Sequence, residues 1–114
     1  MTADTTVTAT FTQCITVTSP NGGESWKTGS THPITWAYTQ ACNPGTSVKI
    51  ELLKGGAVNK TIIKSTTIGS NGTGSYSWKI PTNQTAGTDY KIRITSTTNS
   101  SYKDTSDGDF TIYK

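Results

Sequence analysis

The chain has 114 residues, of which 31% are hydrophobic and 15% charged, and 10 Lys+Arg against 7 Asp+Glu leave a net charge of +3. This length supports one domain with a single modest core, and no run approaches the ~20 apolar residues of a membrane span. Arg93 is the only arginine and the lysines stand singly, as at Lys49, Lys54, Lys60 and Lys64, so the basic stripe that nucleic-acid binding needs is absent.

Polarity comes instead from Thr and Ser, roughly a third of the chain. Thr favours strands and disfavours helix interiors, so composition already points to an all-β fold. The start, "MTADTTVTAT", has neither a basic n-region nor an apolar stretch, and the Thr-rich residues 1–13 read as the end of an interdomain linker. The expectation is an excised module over residues 14–114, with its export signal on a parent protein.

Period-2 alternation then recurs along the chain. "ITVT" sets Ile15 and Val17 on one face, and "PITWAY" does the same for Ile34, Trp36 and Tyr38. "SVKIELLK" turns Val48, Ile50 and Leu52 inward, with Lys49 and Glu51 outward; "NKTIIKST" is a less clear strand. "SYSWKI" aligns Tyr76, Trp78 and Ile80, "DYKIRIT" aligns Tyr90, Ile92 and Ile94, and "DFTIYK" aligns Phe110 and Ile112 with Tyr113 outward. Gly55-Gly56 and Asn71-Gly72 supply tight turns, and Pro44-Gly45 and Pro81 break the chain elsewhere. No window repeats apolar residues at helical spacing. About seven short strands in about a hundred residues predict an antiparallel β-sandwich of immunoglobulin or fibronectin-III type. Tyr90, at a strand start after "PTNQTAGTD", stands where such sandwiches place a tyrosine corner.

Cys14 starts the first strand and Cys42 follows the second. If those strands pair antiparallel, the two sulfurs lie together and a disulfide is expected, which fits an exported protein.

Nothing in the chain assembles a catalytic group. His32 is the sole histidine and precedes Pro33, where it reads as a capping or packing residue rather than a base. The only glutamates, Glu24 and Glu51, give no sign of converging as a glycosidase pair, and no Cys/His set has zinc spacing. No enzyme activity and no cofactor are expected. Asp104, Asp107 and Asp109 in "YKDTSDGDF" read as a soluble turn, with a structural calcium site as the less favoured alternative. Asn-x-Ser/Thr sequons at Asn59, Asn71, Asn83 and Asn99 are uninformative in so Thr-rich a chain.

The aromatic rings carry the functional signal. A sugar stacked on an aromatic face removes ~50 Å² of apolar area from water, worth roughly 1 kcal/mol. Trp36, Tyr76, Trp78 and Tyr90 align with apolar neighbours and read as core. Trp26, in "SPNGGESWKTGSTHPITW", has no alternating partners and is either a surface platform or an edge-of-core plug. The candidate sugar contacts are Trp26, Trp78, Tyr38, Tyr102 and Tyr113, with Gln40, Asn43 and Asn99 as polar partners near them in sequence.

In order, "ITVTSPNGGESWKTGSTHPITW", "VKIELLKGG", "GSYSWKIP", "GTDYKIRITS" and "SDGDFTI" resemble the Ser/Thr-rich cell-wall domain of fungal proteins needed for β-1,6-glucan assembly, over about Ile15 to Ile112. Related modules occur on bacterial and archaeal surface proteins and secreted polysaccharide hydrolases. The resemblance implies an extracellular immunoglobulin-like sandwich associated with glucans and supplies no catalytic residue. It places all three tryptophans at positions that are usually apolar or aromatic. The short length also resembles a non-catalytic carbohydrate-binding module of a β-glucanase. The expected function is therefore a secreted, monomeric module that binds β-glucan-type polysaccharide by aromatic stacking and tethers a parent catalytic domain through a linker. The alternative is a structural or adhesive spacer of a surface protein. A binder should show two or three coplanar rings along one groove; a spacer should bury them.

Overall fold

The structure, a computed structural model, describes residues 14–114; the stretch 1–13 read as a linker lies outside the described residues. Among the described residues nine strands form: β1 (Ile15–Ser19), β2 (Ser25–Lys27), β3 (Thr31–Tyr38), β4 (Ser47–Lys54), β5 (Ala57–Thr67), β6 (Thr73–Lys79), β7 (Gly87–Ser96), β8 (Lys103–Thr105) and β9 (Phe110–Tyr113). A 3-10 turn, Gln40–Cys42, joins β3 to β4. The two strands beyond the expected seven, β2 and β8, are three residues each, too short to display an alternation.

The strands form two sheets, β1–β3–β6 and a six-stranded sheet of order β2–β9–β7–β4–β5 in which β8 also pairs with β7. The chain is all-β, as Thr content and period-2 patterning dictate. One pairing departs from the antiparallel pattern: β9 and β2 pair in parallel, with Ile112 opposite Trp26. Parallel neighbours need a long crossover, and here everything between β2 and β9 in sequence supplies it.

Alternation turns Ile15, Val17, Ile34 and Trp36 from one sheet against Val48, Ile50, Leu52, Tyr90, Ile92, Ile94, Phe110 and Ile112 from the other, all essentially without solvent contact. The Trp36 indole Nε1–H donates to the Ile68 carbonyl at 2.9 Å. Gly74 lies opposite Trp36 in the β3–β6 ladder. A Cβ there would stand 2.1 Å from the Ile68 oxygen and 2.5 Å from the indole nitrogen, so the ring occupies space a side chain would take. Tyr90 is the predicted tyrosine corner. Its hydroxyl donates to the Thr85 carbonyl at 2.6 Å and accepts from Gln84 Nε2 at 2.9 Å.

One outward residue is covered rather than solvated. Glu51 was expected outward beside water, but it is only 6% exposed. Its cross-strand partner Arg93 donates to Oε1 from Nε at 3.0 Å and from Nη2 at 2.8 Å, and the Lys49 ammonium lies 3.7 Å from Oε2. A carboxylate this enclosed is retained only with such partners.

The turns follow their chemistry. Gly55-Gly56 closes β4 onto β5 with φ of 61° and 86°, and Asn71-Gly72 turns between Ser70 and Thr73 with φ of 56° and 85°. Both pairs have the two positive values of the favoured hairpin turn.

β1 and β3 pair antiparallel, Ile15 opposite Tyr38, and the Thr39 amide donates to the Cys14 carbonyl at 2.9 Å. Cys14 and Cys42 are thereby brought to 5.8 Å between Cα atoms and form the expected disulfide. We call this end of the sandwich the disulfide pole. β1 starts there, whereas β9 ends at the opposite pole, where the Thr28 amide donates to the Tyr113 carbonyl.

Candidate functional site

The rings expected to serve as sugar platforms divide between the core and the two poles. Trp26 is 7% exposed and Trp78 5%. Pairing with β9 fixes the direction of β2, whose alternation turns Trp26 inward and leaves Ser25 and Lys27 exposed. Its ring stacks on His32, with centroids 4.6 Å apart and planes within 5°, and touches Phe110 and Trp78 at its sides. His32 thus packs at the start of β3, as expected, and its Nε2 lies 2.9 Å from the Ser30 hydroxyl. Trp26 thus takes the edge-of-core alternative and Trp78 the core position its alternation gave it, so neither indole offers the free face expected of a sugar contact. Tyr113 is 45% exposed, but at the pole opposite the disulfide. Tyr38, opposite Ile15 at the start of β1, and Tyr113, at the end of β9, therefore stand at opposite poles.

The disulfide pole does gather several of the polar candidates. Tyr38 ends β3 half-buried against the core, and its amide donates to the Gly72 carbonyl at 2.8 Å. The 3-10 turn that follows is fixed by the Cys42 amide on the Thr39 carbonyl, the Asn43 amide on the Gln40 carbonyl, and the disulfide. Asn43 closes it at φ 54°, ψ 56°, a left-handed conformation that asparagine tolerates. Opposite stands the β5–β6 connection with Thr67, Ile68 and Gly69, and the Ile68 amide on the Thr46 carbonyl joins the two walls at 2.9 Å. Between the walls opens a cleft of about 500 Å³ lined by Tyr38, Gln40, Asn43, Pro44, Gly45 and Thr46 on one side and by Thr67, Ile68 and Gly69 on the other. Gly45, at φ 89°, is required there, because a Cβ would come within 2.2 Å of the Thr98 hydroxyl.

Asn99 and Tyr102 belong to the neighbouring β7–β8 connection, which Ser96 fastens by donating to the Pro44 carbonyl. Asn99 spends its Oδ1 on the Ser101 amide at 3.0 Å, and Tyr102 packs against the core. These two residues do not line the cleft.

A second hollow, also about 500 Å³, lies on the outer side of the three-stranded sheet among Thr18, Thr35, Ala37, Thr73 and Ser75, and it shares Thr67 and Gly69 with the cleft. The Thr18 and Thr35 hydroxyls are 2.7 Å apart across β1 and β3. The sequence showed the Thr and Ser of these strands only as the residues between apolar ones. Their convergence on one face follows from the β1–β3–β6 registers.

Neither hollow is lined by an acidic or basic residue. The carboxylates are used elsewhere. Asp104 accepts the Val17 amide at 2.8 Å, Asp107 accepts from Asn21 Nδ2 at 3.2 Å, and Asp109 meets Lys91. The three thus face three different partners, and no group of three metal-ligating side chains converges among the described residues. At the opposite pole, the hydrogen bond from Lys54 holds the Asp89 carboxyl below its ordinary value, and Asp89 in turn holds the lysine above its own.

Residues 19–112 match the family model described as the Kre9/KNH-like N-terminal Ig-like domain. No curated protein matches the chain. Among solved structures, the fibronectin(III)-like modules of Clostridium thermocellum CbhA are similar at 19% identity and a TM-score of 0.42, covering 87% of this chain and 92% of that one.

Proposed function

The chain belongs to the Kre9/KNH-like family of Ig-like domains, and from that premise we propose that it is a non-catalytic, wall-associated module of an exported protein, acting as a rigid spacer. Export is supported by the Cys14–Cys42 bridge, because disulfides persist in oxidising compartments. Wall association is supported by the resemblance to glucan-assembly domains. The single observation that carries the spacer reading is the inward placement of every indole, with Trp26, Trp36 and Trp78 at 7%, 1% and 5% exposure. A module that tethered a parent glycoside hydrolase by ring stacking would need two or three free, coplanar faces.

A spacer needs a stiff body with its connections at opposite poles. β1 leads away from the disulfide pole and β9 toward the other, and both are hydrogen-bonded into different sheets. The test places the domain between two folded reporter proteins and measures their separation by small-angle scattering. A fixed separation in low and high salt is expected. Reporters that collapse on each other, or whose separation varies as for a flexible chain, would sink the spacer reading.

A further inference from the structure

We propose that the disulfide-pole cleft and the Thr/Ser hollow beside it form one continuous site for a neutral polysaccharide, recognised by amides and hydroxyls rather than by stacked indoles. The inference goes beyond the spacer reading and does not depend on it. Each hollow has a volume of about 500 Å³, within the usual size of a small-ligand site. The two meet at Thr67 and Gly69, so a chain seated in one can run into the other.

The lining selects the ligand. Gln40 and Asn43 each offer a side-chain donor and acceptor, Thr46, Thr67 and Thr35 offer hydroxyls, and Tyr38 offers one half-buried phenol. A partner with many alternating donors and acceptors, small apolar patches and no charge matches that set. A charged polymer would be desolvated there without a counter-ion. An extended peptide would need apolar pockets for alternate side chains, and the large apolar groups lining these hollows, Ile68 and Trp36, are buried.

The cleft is also preorganised. Its Gln40 wall is held by the disulfide and two backbone hydrogen bonds, its two walls are joined by the Ile68–Thr46 bond, and Pro44 is held by Ser96 on its carbonyl. Rigid walls cut the ordering cost of binding.

The test is an amide-resolved NMR titration with β-1,6-, β-1,3- and β-1,4-linked glucose oligosaccharides, and with an oligogalacturonate as the charged control. Shifts clustered at Gln40, Asn43, Thr67 and Thr73, for at least one neutral series and weaker for the acidic one, are expected. Gln40→Ala combined with Asn43→Gly, which keeps the left-handed turn, should weaken binding about three- to tenfold per lost hydrogen bond at an unchanged melting temperature. Shifts that are absent, scattered, centred on the opposite pole, or strongest with the acidic oligomer overturn the proposal. So does a double variant that binds as well as the parent.

Discussion

Removing the Cys14–Cys42 bridge isolates the contribution of chain entropy to this fold. The bridge spans 28 residues. In the loop-closure account, a closed loop of that length removes about 12 cal/mol/K from the unfolded ensemble, or ~3.6 kcal/mol at 25 °C. For a domain of this size that is a fall of roughly 15 °C in melting temperature. The perturbation is the double variant Cys14→Ser with Cys42→Ser, which leaves no free thiol. Its folded state keeps the antiparallel β1–β3 register and the Thr39–Cys14 hydrogen bond, so the loss falls chiefly on the unfolded side. The three buried indoles report unfolding by fluorescence. Urea unfolding should give a lower midpoint for the variant, and reductant should bring the parent down to the same midpoint. A double variant that melts within a few degrees of the parent would show that the loop-closure argument does not apply here.

Gly74→Ala should destabilise by about 2 kcal/mol or more, because its Cβ would lie 2.1 Å from the Ile68 carbonyl oxygen and 2.5 Å from the Trp36 nitrogen; chemical denaturation measures it. Trp26→Ala should cost about 3–5 kcal/mol as a core deletion, and a variant with unchanged stability would mean that the ring is not part of the core. Tyr90→Phe removes the hydroxyl that donates to Thr85 and accepts from Gln84, an expected loss of about 1–2 kcal/mol. Asp89 titrates lower when folded than its ordinary 3.8. Its contribution is therefore present above that value and fades as pH falls through the depressed one. Asp89→Asn should flatten this part of the acid limb, and so should 1 M salt, since the pair with Lys54 is exposed.

The sheets were legible because long strands repeat their signal. β3, β4, β6 and β7 each run seven to ten residues, enough for apolar alternation to fix which face is buried. The disulfide and the tyrosine corner were legible for a related reason, since each depends on where a known strand starts or ends. Trp26 was not legible. Three residues between two turns show no period, and the partner that orients them, β9, lies at the far end of the chain. Glu51 was misjudged because alternation gives the face of a side chain but not what covers it, and here Arg93 does. Of the candidate site residues, Tyr38, Gln40 and Asn43 are near in sequence and remain near in space. The opposite wall, Thr67 to Gly69, comes from a loop that reaches them only through the stacking of the two sheets, a relation no local pattern encodes.

The inward placement of the indoles has an energetic logic. A ring face left free for one sugar contributes roughly 1 kcal/mol on binding, whereas the same indole in the core contributes about 3–5 kcal/mol to folding. In a chain only 31% hydrophobic, a small domain has few other groups with which to fill the space between two sheets. Exposing Trp26 or Trp78 would open that interior at β2 or β6, where His32 and Phe110 lean on the Trp26 ring. In the proposed site, sugar contact falls to groups whose exposure costs the core nothing, meaning amides on a stapled turn, threonine hydroxyls on an outer sheet face, and a phenol at the rim. Those are the groups that meet at the disulfide pole. The same logic separates the two roles by mutation. Substitutions at Trp26 should change stability and leave glycan contact intact in the folded fraction, and substitutions at Gln40 should do the reverse.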